Sequence, residues 1–210
     1  PNSEGLARVI VKDIYMHDGA ADGLATYIKV NLTAQNIKAH EIFRGGIDVG
    51  GSHSIIRITN YTSTGNELMT GFHSEMSQAA LGNNTVYLNH IKMQQNFTIS
   101  LHHNTHFYVN DLQVGPHWGV GGQEGSTISI KNSKMGGGQV VKPFVNIIRP
   151  GDITFSNVDF YTDTVVGPPL LKPGTIHQAV QILTNNRFTA IGNQKILFDN
   201  CRFLPYSKDE

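Results

Sequence analysis

The first third of the chain contains a dense set of residues that could carry out acid–base chemistry. They are carboxylates, imidazoles and a guanidinium, and several recur at a fixed offset of 23 positions. Two carboxyl groups held close together cannot both ionise freely, so their pKa values separate and the pair divides into an acid and a base. The candidate catalytic residues are His17, Asp18, Asp22, His40 and Glu41, and the candidate substrate-binding residues are Arg44, Asp48 and His53.

The offset also predicts how these residues are stacked. If the segments are coils of a parallel solenoid, His40 lies over His17 and Glu41 lies over Asp18, at the ~4.8 Å spacing of paired strands. One of Asp18, Asp22 and Glu41 would then be a general acid and another a base or nucleophile. His17 or His40 would assist proton transfer, and Arg44 would hold substrate charge. Equally, these residues could form an ordinary solvated corner whose stacking the repeat dictates.

The element that positions these residues is an internal repeat. The segment 9–24 aligns with the segment 32–47, and in both segments apolar residues alternate up to an Asp or Asn that another apolar residue follows. A period of two is that of a strand. The same pattern recurs along the chain, and its Asp or Asn anchors are Asp13, Asn36, Asn60, Asn89, Asp111, Asn132, Asn157 and Asn200.

Spacing between the anchors indicates a solenoid. The intervals are 23, 24, 29, 22, 21, 25 and 43 residues, the last close to two ordinary periods with an insertion. Periods of this length are typical of stacked repeats, and the chain shows no helical periodicity. The sequence therefore predicts an all-β parallel β-helix of about eight coils of 22 to 25 residues, roughly 40 Å long. Its inward residues would be Val9, Val11, Ile56, Ile58, Ile128, Ile130, Ile153, Phe155, Ile196 and Phe198.

This repeat resembles the right-handed parallel β-helix of the pectin-lyase-like superfamily, which includes pectate lyases, polygalacturonases, alginate epimerases and many bacteriophage tailspikes. The resemblance extends over nearly the whole chain and implies one β-helix domain, 1–210, within a longer protein. It also implies a polysaccharide partner, a homotrimeric assembly and an extracellular or virion-tail location. The specific catalytic motifs of the polygalacturonases, alginate epimerases and pectate lyases are absent from the sequence.

Composition limits the other partners. The chain has 16 basic and 16 acidic residues and a formal net charge of zero, so it has no overall electrostatic signature for nucleic acid or an anionic membrane. Its only cysteine, Cys201, excludes an internal disulfide. We expect no cofactor and no membrane insertion. A loop around 165–178 contains exposed apolar residues that would favour contact between subunits.

The middle of the chain contains a second candidate substrate-binding region. Trp118, the only tryptophan, follows His117 among glycines and could form an exposed platform on which a sugar stacks, or pack beneath a turn. The nearby His102, His103 and His106 lie in a strand context, where ligands at this spacing are too far apart for one metal ion. We therefore expect no metal site.

Taken together, these residues predict an enzyme that binds and cleaves a cell-surface polysaccharide, by hydrolysis in preference to β-elimination. One alternative is a non-catalytic fibre module that binds glycan or provides a shaft. A second alternative is a polysaccharide C5-epimerase.

Overall fold

The computed structural model describes residues 5–27, 29–65, 70–75, 82–100, 104–115, 117–121, 125–137, 147–149, 152–161 and 195–204. Within these ranges the chain forms strands and no helix, as the period-two pattern predicts. In chain order the strands are β1 (Ala7–His17), β2 (Asp22–Thr26), β3 (Val30–His40), β4 (Gly45–Val49), β5 (Ile55–Thr64), β6 (Thr70–Glu75), β7 (Thr85–Met93), β8 (Asn96–Ser100), β9 (His106–Val114), β10 (Trp118–Gly121), β11 (Thr127–Gly136), β12 (Ile147–Arg149), β13 (Asp152–Tyr161), β14 (Ile196–Asp199) and β15 (Arg202–Leu204).

All of these strands pair in parallel and stack into a β-solenoid. The long sheet has the order β1-β3-β5-β7-β9-β11-β13-β14, with β15 also on β13, and the second sheet has the order β2-β4-β6-β8-β10-β12. The predicted fold class is confirmed. The coil count differs from the predicted eight, because the described residues form about five turns.

Strands β1, β3, β5, β7, β9, β11 and β13 of the long sheet each bend at one residue in the left-handed backbone region, and a further such residue, Asn200, separates β14 from β15. Eight such corner residues have φ between 50° and 57°, and the strand pairing is interrupted at them. Asn and Asp tolerate this conformation better than other residues with a Cβ. The bend also shifts the alternation, so that Leu32 and Ala34 before the corner and Ile37 and Ala39 after it all point inward.

Corner side chains form a hydrogen-bonded ladder along one edge of the solenoid. The amide of Asn60 donates to Asn36 at 3.0 Å, and that of Asn157 donates to Asn132 at 3.2 Å. The predicted alignment of these asparagines is therefore confirmed. Assigning Asn89 to a corner was wrong, because His90 has the positive φ of 56° and Asn89 is the residue before it.

The register of β7 explains this correction. Val86 and Leu88 are buried in the core, whereas Tyr87 points outward, so the apolar pattern that precedes the corner is Val86-x-Leu88-x-His90. Asn89 still joins the amide ladder, because the amide of Asn110 donates to its side-chain oxygen at 2.8 Å. In β7 and β9 the residue that joins the amide ladder is therefore the one before the corner residue.

The core is a continuous column between the two sheets. Of the residues predicted to point inward, Ile56, Ile58, Ile128, Ile130, Ile153 and Phe155 are buried, while Val11, Ile196 and Phe198 are partly buried against the core. Val9 is an exception, with 39% of its surface exposed, because β1 is the outermost described strand of the long sheet and pairs on one side only.

The 43-residue interval near the end of the chain is not two coils of the long sheet. Ile153 pairs directly with Ile196 and Phe155 with Phe198, so β14 is the next rung above β13. Strand β13 ends at Tyr161, and β14 begins at Ile196 in register with β13. The predicted loop at 165–178 lies outside the described residues, as do His102 and His103.

Candidate functional site

The predicted stacking of the two N-terminal segments is confirmed at the level of the backbone. His17 pairs with His40 in the register of β1 and β3. Asp18 and Glu41 follow at equivalent positions, both with positive φ, and form a second corner of the solenoid.

The side chains at this second corner have different neighbours. The Asp18 carboxylate lies 3.0 Å from Nδ1 of His17, and both side chains are largely exposed. The Glu41 carboxyl group instead lies against Gly65 on the next coil, where an added Cβ would come within 2.7 Å of its Oε1. A proton shared between Asp18 and Glu41 therefore stays a prediction.

A more closely connected group of side chains lies at the start of the second sheet. Tyr27 is at its centre: its hydroxyl oxygen is 2.8 Å from Oδ2 of Asp22 and 3.0 Å from Oδ2 of Asp48. Arg44 donates from Nε to Asp22 at 3.0 Å, and from one terminal nitrogen to both Asp22 and the Tyr27 hydroxyl. His73 completes the group, with Nδ1 3.3 Å from Oδ1 of Asp48. We call these five residues the Tyr27 cluster.

Parallel pairing in the second sheet is what brings the cluster together. Ala25, Asp48 and His73 occupy one outward row on successive strands, so the imidazole lies over the carboxylate. Two glycines leave room for the side chains of the cluster. A Cβ on Gly45 would lie 3.3 Å from the Asp22 carboxylate, and one on Gly50 would lie 3.0 Å from the Tyr27 ring.

Charge within the cluster fixes which groups are ionised. Hydrogen bonds from Arg44 hold the pKa of Asp22 below its usual value, although partial burial acts in the opposite direction. The hydrogen bond to Asp22, with burial and the contact to Asp48, raises the pKa of Tyr27 to about 12. The phenol is therefore protonated at neutral pH. It has a single hydrogen, so it can donate to only one carboxylate at a time.

Exposure separates the cluster into an outer and an inner layer. The Arg44 side chain is 64% exposed, and Tyr27 is 56% exposed, whereas the side chains of Asp22 and Asp48 are 8% and 12% exposed. A molecule that approaches from solvent therefore meets the guanidinium and the phenol first. The carboxylates lie beneath them as hydrogen-bond partners.

Three further predicted site residues lie outside both the second corner and the Tyr27 cluster. His53 is in the turn before β5, where it has a φ of 56° and contacts Asn83. His117 and Trp118 are buried, so the predicted exposed platform is wrong. Trp118 pairs with Phe97 in the inward row of the second sheet and packs against Phe155 and Phe160. Burial also lowers the pKa of His117.

Two residues of the cluster were missed by the sequence analysis. His73 follows Asp48 by 25 residues, one coil of the repeat, so its position over Asp48 could have been found from the spacing. Tyr27 lies between strands and outside the repeated pattern. Its role depends on how the chain passes from the second sheet back to the long sheet, and the spacing does not show this.

Within the described ranges, no group of three or more His, Cys, Asp or Glu side chains is placed to hold a metal ion. The same residues include no helix that could span a membrane. No family model, curated protein or solved structure matches the chain.

Proposed function

We propose that the chain binds and cleaves an extracellular polysaccharide at the Tyr27 cluster, and that it acts on a uronate-containing chain by β-elimination. The observation that carries the proposal is a phenol proton donor and a guanidinium side by side on the solvent side of two carboxylates, with an imidazole held over one of them.

The outer groups provide the charge recognition and the acid for such a reaction. Arg44 uses three of its N–H donors inside the cluster, which leaves two for the carboxylate of a uronic acid. Tyr27 is protonated at neutral pH, so its hydroxyl group is available to protonate the oxygen of the leaving sugar.

The base in this scheme is His73. Its Nδ1 faces the Asp48 carboxylate, which favours the tautomer with the proton on that nitrogen and leaves Nε2 as the basic atom. Removal of the proton beside the uronate carboxyl group and cleavage of the bond to the leaving oxygen would then give an unsaturated product. Asp48 links the base to the acid, because it contacts both His73 and Tyr27.

Hydrolysis is the second candidate, and the separation of the carboxyl groups favours it. Asp22 and Asp48 contact the same phenol oxygen, so the contacting oxygens are at most about 6 Å apart, a limit that includes the ~5–5.5 Å used by retaining glycosidases. Their low exposure argues against it, because a carboxylate nucleophile must reach the sugar directly.

The test is incubation of the protein with polyuronates and with neutral glucans, following chain length and ultraviolet absorbance together. Shortened polyuronates with new absorbance support β-elimination. Shortened chains without absorbance would indicate hydrolysis, and binding without cleavage would indicate a non-catalytic module. Production of a changed uronate without shortening would indicate an epimerase.

Variants locate the activity on the molecule. Tyr27→Phe and His73→Gln are expected to lower turnover by at least ~100-fold, the usual contribution of a positioned proton-transfer group. Tyr15→Phe is the matched control, because Tyr15 is an exposed tyrosine on β1 outside the cluster. Normal turnover in both cluster variants, together with loss in Asp18→Asn or Glu41→Gln, would move the site to the second corner.

A further inference from the structure

A separate surface of the solenoid has features of a ligand-binding face. It consists of the outward positions that precede the corner residues in the first six strands of the long sheet, and we call it the tyrosine face. Tyr87 and Tyr108 pair in register at its centre, with ring centroids 5.2 Å apart and planes 17° from parallel. Both remain exposed, at 40% and 45%.

A cation covers one end of this stack. The guanidinium of Arg57, one rung below, lies 5.4 Å from the Tyr87 ring centroid. The Asn31 side chain accepts a hydrogen bond from Arg57 at 3.1 Å, which holds the guanidinium in place. Arg57 and the two phenols therefore form a preorganised group of hydrogen-bond donors beside an aromatic surface.

Charge on the tyrosine face is of one sign, although the whole chain is neutral. Outward positions before the corner in β1, β3, β5, β7, β9 and β11 include four cationic residues and no Asp or Glu; the cations are Arg8, Lys12, Arg57 and Lys131. The same row carries an acidic residue, Asp152, on the next strand, β13, where the tyrosine face ends. An anionic ligand is complementary to such a surface. Arg57 and Lys131 flank the tyrosine pair three rungs apart, about 14 Å.

We propose that the tyrosine face binds an acidic polysaccharide lying along the solenoid axis, outside the Tyr27 cluster. The phenol edges and Arg57 would contact successive sugars, and Lys131 would pair with a carboxylate further along the chain. The row also presents amide and hydroxyl groups, including those of Asn89 and Asn110, that can hydrogen-bond to sugar hydroxyls. The proposal deepens the proposed function, on which it rests for the class of ligand.

An acidic glycan fits this face better than a nucleic acid does. Tyr87 and Tyr108 stack on each other, so they offer edges and hydroxyl groups, whereas single-stranded nucleic acid requires open ring faces for its bases.

Binding of a defined polygalacturonate oligomer to the full chain tests the proposal, measured in the Tyr27→Phe background so that cleavage does not interfere. The expected result is measurable affinity that falls with added salt and is at least tenfold weaker for a neutral glucan oligomer of equal length. Arg57→Gln and the pair Tyr87→Ala with Tyr108→Ala should each weaken binding at least about fivefold. Tyr15→Ala is the control and should bind normally.

Each outcome decides the proposal. Unchanged affinity in both tyrosine-face variants, equal affinity for the neutral oligomer, or tighter binding of an RNA oligomer at the same salt concentration would overturn it. All the altered side chains are exposed, and an unchanged circular dichroism spectrum verifies that the variants are folded. In Tyr27→Phe we expect cleavage to be lost while the oligomer still binds. This result would show that binding at the tyrosine face is independent of the proposed catalytic site.

Discussion

Replacement of Asn132 tests how the corner ladder stabilises the solenoid. Asn132 has a φ of 50°, donates its amide to Asn110 at 2.8 Å and accepts from Asn157 at 3.2 Å. Loss of two exposed neutral hydrogen bonds costs about 1–2 kcal/mol in free energy of unfolding. Alanine also meets the left-handed backbone penalty of about 1–2 kcal/mol, so Asn132→Ala should be about 2–4 kcal/mol less stable than the parent.

Glycine at the same position separates the two effects. Asn132→Gly loses the same hydrogen bonds but adopts the positive φ without steric strain, at an entropic cost of about 0.5–1 kcal/mol. The glycine variant should therefore be more stable than the alanine variant by roughly 0.5–1 kcal/mol. Ser129→Ala, at an outward position of the same strand, is the control and should change stability by less than about 0.5 kcal/mol.

The assay is urea unfolding followed by circular dichroism and by the fluorescence of Trp118. This single tryptophan is buried among Phe155 and Phe160, so its emission reports on the core between β10 and β13. Coincident transitions by both probes would justify a two-state treatment, which repeat proteins do not always obey. An alanine variant as stable as the glycine variant would refute the conformational part of the reasoning.

Three further outcomes are expected. Tyr61→Phe should destabilise the protein by about 1–2 kcal/mol in urea unfolding, because the buried Tyr61 hydroxyl donates to the Gly71 carbonyl at 2.6 Å. Lowering the pH should reduce the free energy of unfolding in two stages. Below pH 6.5, His117 takes up a proton more readily in the unfolded chain than in the folded protein, because burial lowers its folded pKa, and this difference favours unfolding. Below pH 3.8, Asp22 and Asp159 likewise take up protons more readily in the unfolded chain, because their folded pKa values are lowered. Stability constant from pH 7 to 3 would contradict these shifts. Light scattering of the complete parent protein should give a trimer mass, and a monomer mass would refute the predicted assembly.

Much of the fold could be predicted because a solenoid repeats one physical problem. Each coil needs apolar residues at alternate positions and a residue that tolerates a positive φ at the corner, and both requirements are visible in the sequence. His90 was missed because the repeated pattern was defined by an Asp or Asn at the corner. The alternation of Val86 and Leu88 was the more reliable signal, since a shift of one residue would turn both side chains out of the core.

The candidate site was predicted less completely than the fold. Backbone register follows from the period, so the stacking of His40 on His17 could be predicted. Side-chain direction at a corner does not follow from the period, and Glu41 lies against the coil above it. The Tyr27 hydroxyl contacts Asp22 and Asp48 while the Tyr27 ring lies beside Gly50, and this close approach is a property of the three-dimensional structure.

The direct pairing of Ile153 with Ile196 has a consequence for how such a protein can be altered. The two strands are neighbouring rungs although the residues that pair across them are 43 apart in sequence, so a long connection is compatible with an unchanged register. Closing a longer connection costs little additional entropy, because that cost grows only with the logarithm of its length. This junction is therefore a natural position for a graft, where a foreign loop or a whole domain could be displayed at a fixed height along the rod.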